Sequence, residues 1–238
     1  MYKFEKQIYD RIYMKTEIRF FAAVLSALLL TATLSAQTAS DWAKWGRYAE
    51  ANAGITASPK AVLLGDSITD SWARMDPEWF EENNFAGRGI SGQTTSQILV
   101  RMRNDVVALH PKYVVILAGI NDLALNDGHA LSVEAAVGSI KSMCEIAKAN
   151  GIKPIVCSLL CSTRFRWRPE VTDAYEKIQQ FNSLLKEYAK SSHIKYVNYF
   201  SLLAGEDGKI RPEYSLDTVH PTLEGYKKME EYLLTFIR

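Results

Sequence analysis

A serine stands at the end of a strongly apolar run, where its hydroxyl could act as a nucleophile. The run Val62–Leu64 leads directly into Gly65, Asp66 and Ser67. A glycine at a strand end lets the backbone turn tightly, and a following helix offers free N–H groups that favour developing negative charge. Asp and Ser are also ordinary capping residues, so this segment alone favours a helix cap over a nucleophile.

An aspartate and a histidine lie three residues apart near the C-terminus, at Asp217 and His220. Across a turn, this spacing lets the carboxylate reach the near ring nitrogen, which leaves the far nitrogen free to face a nucleophile. A serine hydroxyl needs such a base because it is a weak nucleophile by itself. In isolation, a surface histidine beside an aspartate is more often structural. The adjacent Pro221 predicts the start of the last helix.

Two further segments could donate hydrogen bonds to a developing oxyanion. Asn121 follows the apolar run Tyr113–Ala118, and its side-chain amide carries two donor hydrogens. Gly92 offers a backbone N–H that no side chain shields from a ligand. Asn and Asp at such positions also form simple turns, and Asp122 is interpreted as a structural residue.

The glycines before Gly92 also match a dinucleotide-binding pattern, Gly87-x-Gly89-x-x-Gly92. That pattern normally follows the first strand of its unit and expects an acidic residue ~20 positions later, at the end of the next strand. The nearest candidate, Asp105, falls inside a predicted helix. The pattern therefore does not indicate a nicotinamide site.

The elements that must position these residues alternate between short apolar runs and longer amphipathic stretches. Continuous apolar runs are typical of parallel strands covered on both faces. The alternation predicts one three-layer α/β/α domain, in which chemistry collects at the C-terminal ends of the strands. A further amphipathic helix is predicted from Asp41 to about Ala53. The predicted strands are Ala61–Leu64, Phe85–Ile90, Tyr113–Ala118, Ile155–Leu159 and Ile194–Asn198.

Together, the motifs resemble one known family, the SGNH (GDSL) hydrolase superfamily. The sequence around Gly92 and His220 is similar to that of the branch of this superfamily that contains platelet-activating-factor acetylhydrolase-like and lysophospholipase-like esterases. The resemblance extends from Ala61 to the C-terminus. It implies a flavodoxin-like fold with about five parallel strands in the order 2-1-3-4-5. The segments that match its four blocks are Gly65-Asp66-Ser67, Gly92, Gly119-x-Asn121-Asp122 and Asp217-x-x-His220.

The resemblance also implies a role for each matching residue. Ser67 would be the nucleophile, His220 the base, and Asp217 the group that orients the histidine. The Ser67 backbone N–H, Gly92 and Asn121 would form the oxyanion hole. The family hydrolyses esters without a cofactor, and the sequence contains no G-x-S-x-G elbow and no H-E-x-x-H or clustered Cys/His metal motif.

The residues that would contact the substrate are less constrained by the sequence. Trp72 could line the acyl pocket or simply pack beneath the nucleophile loop, and His129 is a pocket candidate on the loop after the third strand. Arg164 and Trp167 could grip an anion or stack on a sugar, although a solvated loop with inward-facing rings is the favoured alternative. No long exposed apolar stripe is present, which favours a short acyl group such as acetyl on a carbohydrate or small alcohol.

Composition limits the partners of the chain. Its 238 residues include 28 Lys and Arg against 27 Asp and Glu, which argues against nucleic acid or an anionic membrane surface as a partner. Three cysteines exclude a disulfide-rich scaffold. Cys144 falls on the apolar stripe of a helix, whereas Cys157 and Cys161 could pair or remain thiols.

The first 36 residues are predicted to be a secretory signal peptide. A cationic stretch after Met14 precedes the charge-free run Phe20–Leu34, and small residues follow at Ser35 and Ala36. The run is short for a membrane span, which needs ~20 residues, and an uncleaved anchor is the alternative. The polar residues before Met14 indicate a start codon set too far upstream. We therefore expect one domain over residues 37–238, exported to the periplasm or outside the cell and not inserted in a membrane.

Two classes of function remain open. One is a secreted serine esterase, with a lysophospholipase, a thioesterase or an acyltransferase to a sugar as variants of the same chemistry. The other is a non-catalytic carbohydrate-binding relative on the same fold. The two classes differ in whether a fluorophosphonate probe labels the protein.

Overall fold

The computed structural model describes residues 41–128 and 131–237. The chain divides into two units, Met1–Trp42 and Ala43–Arg238, and only Asp41 and Trp42 of the first unit are described. The predicted signal peptide and the pocket candidate His129 lie outside the described residues.

Strands and helices alternate along the second unit, as the sequence pattern predicts. The strands are β1 Ala61–Gly65, β2 Phe85–Gly89, β3 Tyr113–Leu117, β4 Lys153–Cys157 and β5 Lys195–Val197. The helices are α1 Ala49–Ala53, α2 Ser67–Met75, α3 Pro77–Glu82, α4 Thr95–Asp105, α5 Ile120–Leu123, α6 Val133–Ala149, α7 Ala174–Ser191, α8 Tyr199–Leu203 and α9 Leu223–Leu234. Short 3-10 turns span Val107–Leu109, Asn126–Gly128 and Pro212–Tyr214.

The five strands form one parallel sheet in the order β2-β1-β3-β4-β5, which is the predicted flavodoxin-like order. Every residue of β1 and β3 is buried, because helices cover both faces of the sheet. Their continuous apolar runs therefore bury side chains on both faces at once. In a parallel sheet all C-terminal strand ends meet at one edge, so the loops after β1, β2 and β3 come together there.

The helices fall into two sets, one for each face of the sheet. Helix α6 packs against α4 and α7, whereas α9 packs against α2 and α8. Apolar side chains at helical spacing explain this packing: Ile98 and Met102 of α4 are completely buried, as are Met229 and Leu233 of α9. The predicted three-layer α/β/α architecture is thus confirmed.

Three local predictions are wrong. The chain forms turns over residues 41–48, and α1 spans only Ala49–Ala53, because Lys44 adopts a left-handed backbone with φ +47° that a helix does not accommodate. Strand β4 ends two residues early, since the backbone N–H and carbonyl of Leu159 bond to the side chain of Asn182 instead. The last helix does not begin at Pro221, as predicted, because Thr222 caps its N-terminus and Pro221 lies before the cap.

The three cysteines are free and buried. Cys144 lies in the core as predicted, and the open question of a Cys157–Cys161 pair is answered by two separate thiols. Burial raises the pKa of the Cys144 and Cys161 thiols to about 12, because the thiolate would lose its hydration.

Candidate active site

Ser67 is the first residue of α2, directly after the glycine that ends β1. The side chain of Asp66 caps this helix by accepting a hydrogen bond from the Ile68 N–H (3.0 Å), so the predicted capping role of Asp66 is confirmed. A Cβ at Gly65 would lie 2.4 Å from the Leu117 carbonyl oxygen, so only glycine permits this turn beside β3. Ser67 therefore stands at the helix N-terminus, where the backbone favours negative charge.

A chain of hydrogen bonds joins Ser67 to His220 and Asp217. The Ser67 Oγ lies 2.9 Å from His220 Nε2, and His220 Nδ1 lies 2.8 Å from Asp217 Oδ2. The other carboxylate oxygen, Oδ1, accepts hydrogen bonds from the backbone N–H groups of Val219 (3.0 Å) and His220 (2.8 Å). Burial opposes ionisation of Asp217, but these hydrogen bonds outweigh it and lower its pKa. Asp217 is thus held as a carboxylate against the histidine ring.

Gly92 and Asn121 lie at the same edge of the sheet, and both line a pocket with Ser67. Gly92 has a left-handed backbone with φ +83°, a conformation that glycine adopts without strain. Asn121 is in the first turn of α5, just after β3, and is buried. The sequence segments expected to meet at this rim are therefore adjacent in the fold.

The Asn121 amide is held at both of its ends. Its Nδ2 donates to the Gln93 carbonyl (3.1 Å), and its Oδ1 accepts from Asn126 Nδ2 (2.7 Å). Asn126 Oδ1 in turn accepts from the indole N–H of Trp167 (3.1 Å). Because an amide nitrogen carries two hydrogens, Asn121 can still donate the second one to a ligand.

A buried arginine supports the loop that carries Gly92. Arg101 on α4 is fully buried; its Nε donates to Gln93 Oε1 (2.8 Å), and its guanidinium pairs with Asp105. Its Nη2 also donates to the carbonyls of Gly65 (3.4 Å) and Arg88 (3.3 Å). One side chain thereby joins the end of β1, strand β2 and the loop after β2.

Two buried carboxyl groups lie behind the serine. Burial raises the pKa of Asp66 to about 7, and the nearby Asp122 adds to this rise, whereas the Ile68 N–H and the charge of His220 oppose it. Asp122 accepts hydrogen bonds from the Thr95 N–H (2.9 Å) and Oγ1 (2.7 Å), which tie α5 to the start of α4. The interpretation of Asp122 as structural agrees with these bonds.

The pocket beside Ser67 is open to solvent and has a volume of about 450 Å³. Its apolar lining comes from Trp167 and Leu216, whose side chains are 39% and 63% exposed. Trp167 thus lines the pocket, in contrast to the inward-facing ring that the sequence favoured, and its ring centroid lies 6.2 Å from that of His220. The neighbouring Phe165 is completely buried, so the two aromatic residues of this loop divide between pocket and core.

Two candidate pocket residues lie elsewhere. Trp72 is 1% exposed, stacks on Trp79 (5.3 Å) and Tyr226 (5.4 Å), and donates its indole N–H to Glu230 (2.9 Å). Of the two alternatives that the sequence left open for Trp72, a place in the acyl pocket or packing beneath the nucleophile loop, the structure supports the second, because α2 turns this side chain into the core.

Arg164 is the second of these candidates. Its side chain is exposed and lies outside the pocket lining. Its backbone carbonyl accepts a hydrogen bond from Thr218 Oγ1 (3.3 Å), which connects this loop to the loop that carries Asp217 and His220. Arg164 thus contributes to the site through its backbone.

Sequence reasoning missed Gln93, Arg101, Asn126 and Leu216. Asn126 precedes Asp127 and Gly128 and has the appearance of an ordinary turn residue. An arginine and an aspartate four residues apart, as at Arg101 and Asp105, usually form an exposed helical ion pair. Nothing in the spacing of these residues indicates that the fold brings them to the site.

A known protein family matches the part of the chain that contains these motifs. The model of the GDSL-like lipase/acylhydrolase family matches residues 63–228, a range that includes Ser67, Asn121 and His220. The chain belongs to the GDSL-like lipase/acylhydrolase family. It is a serine ester hydrolase, and the predicted fold and enzyme class are both confirmed.

Solved structures agree with this assignment. A GDSL-like lipase from Bacteroides thetaiotaomicron is 44% identical, with 83% of this chain and 98% of that chain covered and a TM-score of 0.79. A catalytic mutant of Axe2, an acetylxylan esterase from Geobacillus stearothermophilus, is 19% identical, with 77% and 95% covered and a TM-score of 0.60. The second similarity shows the shared fold alone.

Among curated proteins, an uncharacterized lipoprotein of Bacillus subtilis, YqeF, is 31% identical over 115 residues. The match covers 42% of this chain and 47% of the lipoprotein, so the chain spans about half the length of this relative. Within the described residues, no helix combines the length and the apolar character required to cross a bilayer. The same residues contain no group of three or more His, Cys, Asp or Glu side chains arranged to hold a metal ion.

Proposed function

We propose that the protein is an exported esterase that removes short acyl groups, acetyl above all, from a carbohydrate or another small alcohol through an acyl-enzyme. The observation that carries this proposal is the hydrogen-bonded chain from Ser67 Oγ through His220 to Asp217, with separations of 2.9 and 2.8 Å. Such a chain is the arrangement that activates a serine hydroxyl near neutral pH.

In the proposed reaction, Ser67 Oγ attacks the ester carbonyl carbon and its proton passes to His220 Nε2. The tetrahedral intermediate then expels the alcohol, which takes that proton from His220. Water repeats the sequence on the acyl-enzyme and releases the carboxylic acid and the free serine. Asp217, held as a carboxylate, stabilises the imidazolium that forms in both halves of the reaction.

The oxyanion would be stabilised by three donors from three segments. These are the backbone N–H groups of Ser67 and Gly92 and the Nδ2 of Asn121. The capping bond of Asp66 goes to the Ile68 N–H and leaves the Ser67 N–H to a ligand. One well-placed donor of this kind is worth ~2.7–4 kcal/mol of transition-state stabilisation.

The pocket supports a small, polar alcohol group as the substrate portion. Eight of its ten lining residues are Ser, Asn, Asp, Gly or His, and the space is open to solvent. The exposed face of Trp167 suits stacking on a sugar ring. A long acyl chain would need a longer apolar groove than Trp167 and Leu216 provide.

A second candidate is a lysophospholipase- or thioesterase-type acylhydrolase. Leu216, which is 63% exposed at the pocket rim, favours it because an apolar rim could support a longer acyl chain. Acyl transfer to a sugar in place of water uses the same residues and differs in its product.

Export rests on the N-terminal sequence and on the distant relative. The charge-free run Phe20–Leu34 after a cationic stretch is typical of a signal peptide. The B. subtilis relative is described as a lipoprotein, which supports an extracytoplasmic location for this chain as well.

The test is a hydrolysis screen of the wild type and Ser67→Ala. We expect the wild type to prefer p-nitrophenyl acetate and acetylated sugars over long-chain esters and lysophospholipid, and to react with a fluorophosphonate probe. Ser67→Ala should lose at least ~10⁴-fold in kcat and all labelling while remaining folded.

Ser139→Ala removes an exposed hydroxyl on α6 and serves as the matched control. Turnover retained in purified Ser67→Ala would refute the role of Ser67. Glycan binding without hydrolysis or labelling would support the non-catalytic alternative, and a preference for long acyl chains would support the second candidate.

A further inference from the structure

We propose that Asn126 is a positioning residue for the oxyanion hole, and that it sets the orientation of the Asn121 amide through a one-way hydrogen-bond chain that begins at Trp167. This inference rests on the proposed function, because it assumes that Asn121 donates to the oxyanion. The chain consists of the three bonds already described: Trp167 Nε1 to Asn126 Oδ1, Asn126 Nδ2 to Asn121 Oδ1, and Asn121 Nδ2 to the Gln93 carbonyl.

The two ends of this chain determine the direction of every bond in it. An indole nitrogen can only donate a hydrogen bond, and a backbone carbonyl oxygen can only accept one. Trp167 therefore requires the Asn126 oxygen to face it, which turns the Asn126 nitrogen toward Asn121. The Gln93 carbonyl requires the Asn121 nitrogen on the opposite side. Only one arrangement of the two amides leaves every donor facing an acceptor.

A reversed Asn121 amide would be unfavourable at both ends. Its oxygen would face the Gln93 carbonyl oxygen, and its nitrogen would face the Asn126 nitrogen. It would also place the Asn121 oxygen, which repels negative charge, where the oxyanion needs an N–H donor. Asn121 and Gln93 are both buried, so water cannot readily compensate the mismatch at the Gln93 end. Asn126 thus keeps the donor pointed into the site before substrate binds, which is the preorganisation that oxyanion stabilisation requires.

The chain also connects the wall of the pocket to its chemistry. Trp167 is 39% exposed and lines the pocket, whereas Asn121 is 2% exposed and lies at its base. Asn126, which lies between them, also lines the pocket. A substrate group that stacks on the Trp167 ring would therefore contact the side chain that holds Asn126, and Asn126 in turn orients the oxyanion donor.

The experiment is a double-mutant cycle measured on p-nitrophenyl acetate. We expect Asn126→Ala to lower kcat about tenfold with KM within about twofold, and Asn121→Ala to lower kcat by ~10²–10³-fold. In the Asn121→Ala background, Asn126→Ala should cost less than twofold more, because the group it positions is already gone. Asn150→Ala, at an exposed asparagine that ends α6, is the matched control.

Two further variants keep the test decisive if Asn126→Ala folds poorly. Asn126→Asp still accepts from Trp167 but cannot donate to Asn121, so its kcat should fall below that of Asn126→Ala. Trp167→Phe keeps an aromatic face and removes only the N–H, so kcat should fall severalfold with KM nearly unchanged. A residue acting only as a pocket wall would change KM instead.

The inference is overturned if Asn126→Ala costs the same factor in both backgrounds, or if Asn126→Asp and Trp167→Phe retain wild-type kcat. These outcomes differ from a failure of the proposed function, in which the wild type would not react with fluorophosphonate or Ser67→Ala would remain active.

Discussion

Replacing Asp66 with asparagine should change how the stability of the protein depends on pH. Asp66 is 1% exposed, and the fold raises its pKa to about 7, chiefly because a buried carboxylate loses its hydration. Asparagine has nearly the same shape and keeps an oxygen that can accept the capping bond from Ile68. The substitution therefore removes the titration while it preserves the cap.

The magnitude follows from the difference between the folded and unfolded pKa values. An aspartate in an unfolded chain titrates near pH ~3.9, so the folded state binds the Asp66 proton about 10³-fold more tightly, which is equivalent to ~4 kcal/mol. Below pH ~4 the folded and the unfolded protein both hold the Asp66 proton, so the contribution of Asp66 to the stability of the wild type is at its maximum. Between pH ~4 and 7 only the unfolded state releases the proton, so the free energy of unfolding falls by about 1.36 kcal/mol per pH unit.

The assay is urea unfolding of the wild type and Asp66→Asn at several pH values from 4 to 8. The free energy of unfolding of the variant should rise relative to that of the wild type by ~4 kcal/mol across this range, with most of the change between pH 4 and 7. Asp173→Asn, which removes an exposed carboxylate paired with Lys177, controls for the loss of one charge.

The reasoning is refuted if the difference between Asp66→Asn and the wild type stays constant within about 0.5 kcal/mol from pH 4 to 8. That result would mean that Asp66 titrates alike in the folded and unfolded states. A constant offset without pH dependence would reflect a change in packing or capping only.

Three further changes test the geometry of the site and its support. Asp217→Asn should lower kcat by about 10⁴-fold with little change in the free energy of unfolding, because the ring of His220 loses the carboxylate that orients it; a loss under tenfold in steady-state assays would contradict this role. Gly92→Ala should destabilise the loop by ~1–2 kcal/mol and lower kcat, because φ +83° strains any residue with a Cβ; thermal melts and kinetics together would show it, and a fully active, equally stable variant would argue against the strain. Arg101→Met should lower the free energy of unfolding by ~3–5 kcal/mol, since it leaves the Asp105 carboxylate buried without its cationic partner and with only the hydrogen bond from Asn52. Chemical denaturation would measure this, and an unchanged midpoint would show that Asp105 does not need the ion pair.

Much of the fold was predictable because its signals are local. Continuous apolar runs such as Tyr113–Leu117 can only be buried on both faces, which predicts a parallel sheet between helical layers. The errors fall where a distant side chain or a backbone conformation overrides the pattern. Asn182 takes the backbone bonds of Leu159 and ends β4, and the left-handed Lys44 interrupts the first predicted helix.

The candidate site was predictable where its residues belong to short motifs at strand ends. Ser67, Gly92 and Asn121 each follow a strand, and the three-residue spacing of Asp217 and His220 suits their contact. Trp72 shows the limit of this reasoning, because its closeness to Ser67 in sequence says nothing about which side of α2 faces the core.

The sequence by itself determined the sheet, the strand-end positions of the chemical groups and the pairing of an aspartate with a histidine, since periodicity and short spacing act within one or two elements. The tertiary structure alone decided what supports these groups. The contacts of Asn126 with Asn121 and Trp167, and of Arg101 with Gln93 and Gly65, join residues from separate loops and helices. Such contacts depend on how layers pack in three dimensions, and hydrogen-bond partners of this kind leave no periodic trace along the chain.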